Sequence, residues 1–319
     1  MTYAELSTLR VDLQHGVATV AIDNPPLNIL DGKLIPDLRR FAAQVRDDDT
    51  VQVIVFESAD PEFFIAHGDM HFLTDPATLV PDDGLPPGTS NAIQALNEEI
   101  RALPQVTIGK IAGLARGGGN EFAMALDMRF AAIGKSGQAQ PETLLGIYPR
   151  GGGTQYMTSL VGRARTLELI LGAELADAEL AERYGLINRA LPADELDGFV
   201  ATLARRIAGL GRTIIGIVKT AVDAADSTKT DLITESSLAS RLSFPDIVAL
   251  AHKLLAAGVQ TREGELRLEE LLNEVLIAPS LTGEFRAVPA SPSGCRFVQH
   301  NPAPSRRPVA DSSSSGTGL

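Results

Sequence analysis

An apolar segment, Val106 to Leu114, runs into Arg116-Gly117-Gly118-Gly119-Asn120-Glu121 and continues as helix-forming residues from Phe122 to Met128. No other feature narrows the fold as much. A strand must enter the glycines and a helix must leave them, because three glycines reach backbone angles closed to other residues. Such a junction points backbone N–H groups, backed by the helix dipole, at one spot ahead of the helix. Donors so placed suit an anion that forms during a reaction. Taken alone, the segment is more simply a tight strand-to-helix bend. It is not a dinucleotide fingerprint, since the full glycine pattern and the following acidic residue are missing.

Strand, turn and helix signals alternate from residue 11 to about 190. Val11 to Ile22 reads as a hairpin turning at His15-Gly16. Asn24-Pro25-Pro26 stops its second strand, since proline cannot donate to a ladder. Asp31 can cap a helix through about Arg46, with Leu34, Leu38, Phe41, Ala42 and Val45 on one face. Val51 to Phe56 reads as a buried strand, Phe63 to Ala66 as a second extended piece, and Asn91 to Leu103 as an amphipathic helix. Thr74 to Ser90, rich in proline, glycine and aspartate, reads as a long exposed loop. Arg129 to Ile133 is strand again, and from Asp194 to Val275 the pattern is helical. The expected division is a core over 1–193, a helical region over 194–278 and a disordered Pro/Ser-rich tail over 279–319, which has too little apolar surface to offset its ordering entropy.

The chain has 319 residues, 44% hydrophobic and 21% charged, enough for a sizeable core. Its net charge of −12 argues against nucleic acid as a partner, because phosphate neutralisation needs a basic face. The single cysteine, Cys295, can build neither a disulfide framework nor a thiolate metal site, which fits a reducing cytosol. Met1 to Leu9 lacks the pattern of a signal peptide, and no apolar run reaches the roughly 20 residues of a membrane-spanning helix. The expected location is cytoplasmic, with no membrane partner.

Two further segments carry chemistry. In Phe63-Phe64-Ile65-Ala66-His67-Gly68-Asp69-Met70 an apolar strand ends in a small residue and a glycine turn, which can present another N–H donor at Ala66. His67 and His71 stand four apart around Asp69, but no third ligand is identifiable and the glycine argues against a helix, so no metal is expected. In Gln140-Pro141-Glu142, proline at a helix start leaves Glu142 in the first turn, where a carboxylate is favoured. Gly134-Lys135-Ser136 fails as a phosphate loop, because Arg129 stands where the first glycine is required.

Together these segments resemble the crotonase (enoyl-CoA hydratase/isomerase) superfamily, in order from about Val11 to Leu196. The resemblance is carried by Gly16 to Val20, Pro26-Leu27-Asn28, Phe63 to Met70, Ile111-Ala112-Gly113, Gly117 to Asp127, Gln140 to Gly146 and Gly151 to Gln155. It continues through Ala178 to Leu186 and Asn188 to Pro192, and is not traceable beyond about Ala225. It implies an α/β spiral of ββα units followed by a helical C-terminal region. It also implies a trimer or a dimer of trimers, and an acyl-CoA thioester as substrate with no separate cofactor, since CoA is part of that substrate.

By the same resemblance the peptide N–H groups of Ala66 and Gly118 form an oxyanion hole for a thioester enolate. Glu121 orients or activates water and Glu142 exchanges the α-proton. His67, Gly68, Gly117 and Asn28 are expected beside the substrate, and Asp69 as a helix cap. Lys33, Arg116 and Arg150 are candidates for the ligand's phosphates, but a solvated-surface role is the favoured reading of each. Family members commonly read Ala-Gly-Ala-Asp where this chain has Ala66-His67-Gly68-Asp69, so a bulky His67 is expected to narrow the pocket or alter the acyl group accepted. Isomerases of the superfamily generally lack the full glutamate pair, so the expected reaction is hydration of a 2-enoyl-CoA. Double-bond isomerisation is the alternative. A catalytically silent binding or scaffold protein on this fold is the rival of another class.

Overall fold

The amino-terminal hairpin forms as its alternation requires. Strands β1 (Leu9–Gln14) and β2 (Val17–Ile22) pair antiparallel across a turn in which His15 and Gly16 both take positive φ. That turn handedness matches the twist of the flanking strands. In this computed structural model the described residues are 3, 6–80, 89, 91–225, 244–272 and 274–275. The expected tail over 279–319 lies outside them, as do residues 81–88 and 90 of the expected loop.

Helix α1 (Leu34–Arg46) starts where Asp31 Oδ1 accepts the N–H groups of Lys33 and Leu34, each at 2.9 Å. Its face of Leu34, Leu38, Phe41, Ala42 and Val45 is buried in the main core. A short helix, α2 (His71–Thr74), precedes α3 (Ala92–Arg101), whose cap is Asn91: Asn91 Oδ1 accepts from the N–H of Gln94 at 2.9 Å.

Strands then alternate between two sheets. β3 (Val53–Ser58), β5 (Val106–Ile111) and β7 (Met128–Ala132) lie parallel in a six-stranded sheet ordered β1-β2-β3-β5-β7-β10, closed by β10 (Arg189–Leu191). β4 (Phe63–Ile65), β6 (Leu114–Arg116) and β8 (Gly137–Ala139) form the parallel part of a second sheet, edged by β9 (Ala176–Asp177). Each turn of the chain therefore gives one strand to each sheet before its helix, which is the ββα spiral.

Val106 to Leu114, expected as one strand, is instead two. The chain bends at Ala112-Gly113 to leave the first sheet for the second. A β-carbon at Gly113 would lie 2.7 Å from the carbonyl of Glu62, so only glycine passes there.

Beyond the core, α4 (Gly118–Ala125), α5 (Gly153–Val161), α6 (Arg163–Gly172), α7 (Ala178–Tyr184), α8 (Leu196–Ala208) and α9 (Arg212–Ala225) follow. After residues 226–243 come α10 (Phe244–Ala256), α11 (Arg262–Leu266) and α12 (Leu268–Leu272). The core and these last helices fall in one compact unit, Met1–Leu281. Ala251, Leu254, Val259, Leu268, Leu271 and Leu272 pack on Met70 of the core and on Leu145. Each leucine, valine or methionine among them contributes about 1.5–3 kcal/mol when fully buried. Among the described residues no helix is long and apolar enough to cross a membrane.

Candidate active site

The glycine junction has a division of labour. Gly117 alone takes positive φ, at 48°, while Gly118 and Gly119 already belong to α4. Gly119 is needed for packing, since a β-carbon there would run into the carbonyl oxygen of Ile65. Gly118 opens the first turn of α4, where backbone N–H groups have no partner within the helix.

Gly117, Gly118, Glu121 and Glu142 line one cavity of about 420 Å³ together with His67 and Gly68. Its remaining wall is largely apolar, with Ile35, Phe72, Leu73, Leu79, Ile93, Leu145, Leu254, Leu268 and Leu272. The helical C-terminal region thus closes the site that the core opens. A β-carbon on Gly118 would stand 3.5 Å from the backbone nitrogen of Gly68, so these two peptides converge.

Ala66 does not line the cavity. It is fully buried in a small apolar cluster with Leu27, Ile29 and Phe63, and its carbonyl accepts the N–H of Arg116 at 3.2 Å. The strand must end before a peptide can turn toward the cavity, and Gly68, two residues further on, lines it. The His67 carbonyl ahead of that peptide accepts the N–H of Leu30 at 2.9 Å, and the N–H of Asp69 donates to the Leu30 carbonyl at 3.1 Å. Both bonds fix the turn against the backbone.

Asn28 is also placed elsewhere. With φ of 52° it ties the end of β2 to its neighbours. Asn28 Oδ1 accepts the N–H of Asn24 at 2.7 Å, and Nδ2 donates to Ser58 Oγ at 2.8 Å and to the Ile22 carbonyl at 3.2 Å. Both protons of its amide are thereby committed within the chain. Asp69 does serve as a cap, accepting the N–H of His71 at 2.9 Å, and the same oxygen also accepts from Gln260 Nε2 at 2.8 Å.

Glu121 is 3% exposed, and its Oε1 accepts the N–H groups of Gly151 at 2.7 Å and Gly153 at 2.9 Å. Burial pushes its pKa up, while those two bonds and the nearby charge of Arg150 pull it down; the balance is about 7. The loop that grips Glu121 is itself held by α3, through Asn91 Nδ2 to the Arg150 carbonyl at 2.9 Å and Asn97 Nδ2 to the Gly151 carbonyl at 2.8 Å. Glu142 follows Pro141 at the start of a 3-10 turn, Pro141–Leu145, and a β-carbon on Gly117 would stand 3.1 Å from its Oε1.

Of the three basic candidates for ligand phosphates, Arg150 lines the cavity and Lys33 is exposed. Arg116 is buried and holds a carboxylate of the chain itself: Nε and Nη2 donate to the two oxygens of Glu269 at 2.7 and 2.9 Å. Sequence reasoning gave no role to Glu265, Glu269 or Gln260. Their stretch reads as an ordinary acidic surface segment, and nothing in its spacing marks it as part of a site.

Residues 12–246 match the family model described as enoyl-CoA hydratase/isomerase. A Mycobacterium bovis protein, provisionally assigned as an enoyl-CoA hydratase, is 31% identical over 227 residues, covering 70% of this chain and 83% of that relative. A crotonyl-CoA hydratase of Syntrophomonas wolfei is 28% identical over 226 residues, covering 69% and 83%. The crystal structure of a Streptomyces avermitilis protein, also provisionally assigned as an enoyl-CoA hydratase, superposes with a TM-score of 0.81 at 47% identity, covering 85% of this chain and 99% of that one.

Proposed function

This chain belongs to the enoyl-CoA hydratase/isomerase family, and from that premise we propose that it adds water to a 2-enoyl-CoA through an enolate held by the N–H groups of Gly68 and Gly118. The observation that carries this reading is the convergence of those two peptides with both glutamates on a single cavity. A thioester oxygen lying between the two donors gains negative charge as the nucleophile attacks. Donors fixed in a partly dry site act most strongly where charge develops, and losing one typically costs about 10²–10³ in rate.

Water must deliver its oxygen to the β-carbon, and the α-carbon must receive a proton. Glu121, poised near neutrality, holds and activates the water; Glu142 exchanges the α-proton. A pKa near the working pH is what general acid–base catalysis favours, and each such group contributes typically about 10²–10⁴. CoA arrives with the substrate and no further cofactor takes part. The family's double-bond isomerisation is the second activity to assay, since it shares the enolate.

The assembly we propose is a trimer or a dimer of trimers. An apolar stripe on α9 supports it, where Ile214, Ile217, Val218 and Val222 are exposed.

The test is hydration of crotonyl-CoA by the purified protein, followed as loss of the enoyl-thioester absorbance. Glu142→Gln is expected to suppress that turnover and the exchange of α-hydrogen with deuterated solvent. An active wild type with an unaffected variant would overturn the proton-transfer role of Glu142.

A further inference from the structure

Each of the two glycine turns at the cavity begins after a buried basic residue, and each basic residue is gripped by a glutamate of the C-terminal helices. His67 precedes Gly68, and its Nε2 lies 2.8 Å from Glu265 Oε1. Arg116 precedes Gly117-Gly118 and makes its double hydrogen bond to Glu269. Glu265 and Glu269 stand four apart in sequence, so one short stretch of chain reaches both turns. From this we infer that Glu265 and Glu269 are positioning residues for the donor pair, acting through His67 and Arg116.

The geometry also constrains where the protons of His67 lie. His67 Nδ1 lies 2.7 Å from the Gly68 carbonyl, which can only accept, so that nitrogen carries a proton. Nε2 faces Glu265 Oε1, which already accepts the N–H of Gln260 at 2.7 Å. With Glu265 ionised, as its lowered pKa favours, Nε2 donates as well and the ring is an imidazolium. The charged groups facing it are Glu265 on α11, Arg116 at the end of β6, and Glu142 across Gly117. Burial pulls the His67 pKa down and Arg116 opposes the cation, but the Glu265 charge and the two ring hydrogen bonds outweigh them and raise it. Glu265 is pushed up by burial and brought below the usual range by His67, the Gln260 N–H and Arg116. The cation therefore sits one peptide from the Gly68 donor, and its Nδ1 proton holds the next carbonyl of the turn. Leu268 and Leu272 of the same region wall the cavity, so the helices that bound it also hold the two donor turns. A misplacement of about 1 Å at a reacting centre costs on the order of 10²-fold.

The inference rests on the oxyanion-hole reading, so the experiment separates the two. Infrared spectra of butanoyl-CoA labelled with ¹³C at the thioester carbonyl are recorded bound to wild type, Glu265→Gln and Glu269→Gln. Wild type is expected to lower the carbonyl frequency; failure to do so overturns the oxyanion-hole reading itself. Each variant is expected to lose part of that shift and at least tenfold in kcat, with KM within about threefold. Both variants matching wild type in band position and kcat overturn the positioning role alone. Should a variant fold poorly, ¹⁵N spectra of the histidine-labelled wild type decide. His67, identified by the slow solvent exchange of its ring protons, is expected doubly protonated at pH 7.5, and a neutral ring there overturns the inference.

Discussion

Glu121 Oε1 lies 2.7 Å from the backbone nitrogen of Gly151, and the same oxygen takes a second N–H from Gly153. One oxygen of the carboxylate is thus committed to the protein backbone, and the other takes neither of those bonds. The arrangement needs glycine on the gripping loop: a β-carbon at Gly151 would stand 2.5 Å from Glu121 Oε2, and one at Gly153 would stand 2.6 Å from Oε1.

Gly151→Ala is therefore expected to displace the carboxylate and to strain the loop against Ile93, whose Cγ2 would lie 2.7 Å from the new carbon. The cost in stability should be about 1–3 kcal/mol, as for other overpacked sites. The loss in kcat should be on the order of 10²-fold. Denaturant titration and steady-state kinetics on crotonyl-CoA measure the two effects, and a variant with wild-type kcat contradicts the gripping role.

Glu121→Gln should separate catalysis from stability. With a folded pKa of about 7 against an ordinary 4.5, the native state keeps a proton that the unfolded chain releases between those values. Stability contributed by this group is complete below pH 4.5, declines as pH rises toward 7, and is lost above it, a penalty on the order of 3 kcal/mol. The glutamine variant carries no such penalty. Its Tm is expected to exceed that of wild type by a margin that grows from pH 5 to pH 8, while kcat falls by about 10²–10⁴. A margin independent of pH is the result that contradicts the buried-acid account.

The apolar wall of the cavity bears on substrate length. Each acyl methylene that enters among Phe72, Leu145, Leu254 and Leu268 should contribute about 0.8 kcal/mol, close to a fourfold gain. The series crotonyl-, 2-hexenoyl- and 2-octenoyl-CoA is expected to show kcat/KM rising before it levels off. A monotonic fall from the four-carbon substrate would mean that this wall does not receive the acyl chain.

The exposed stripe on α9 makes the assembly testable. Sedimentation equilibrium of the purified chain is expected to give a multiple of three subunits. Ile217→Lys places a charge on a residue that is 60% exposed in the isolated chain, and is expected to shift the protein toward smaller species without unfolding it. A wild-type monomer would count against the proposed trimer.

The sequence by itself determined the kinds of element and their order. Alternation at Val17 to Ile22, the stripe from Leu34 to Val45, the cap at Asp31 and the amphipathic run from Asn91 are local signals, and each element formed where they pointed. The glycine junction at Gly117 and the turn started by Pro141 were legible for the same reason, being written in neighbouring residues, whereas the roles expected of Glu121 and Glu142 came from the family resemblance. Which peptide after β4 faces the cavity was not. Ala66 and Gly68 are both small, and only the pairing of β4 with β6 and the clamp on Leu30 turned one inward to the core and the other toward the cavity. Nor could periodicity reveal the partners of His67 and Arg116, which lie 198 and 153 residues away. Local pattern encodes what a segment becomes. Which charge it meets depends on where the chain returns, and that was decided by the packing of Leu254, Leu268 and Leu272 over the core.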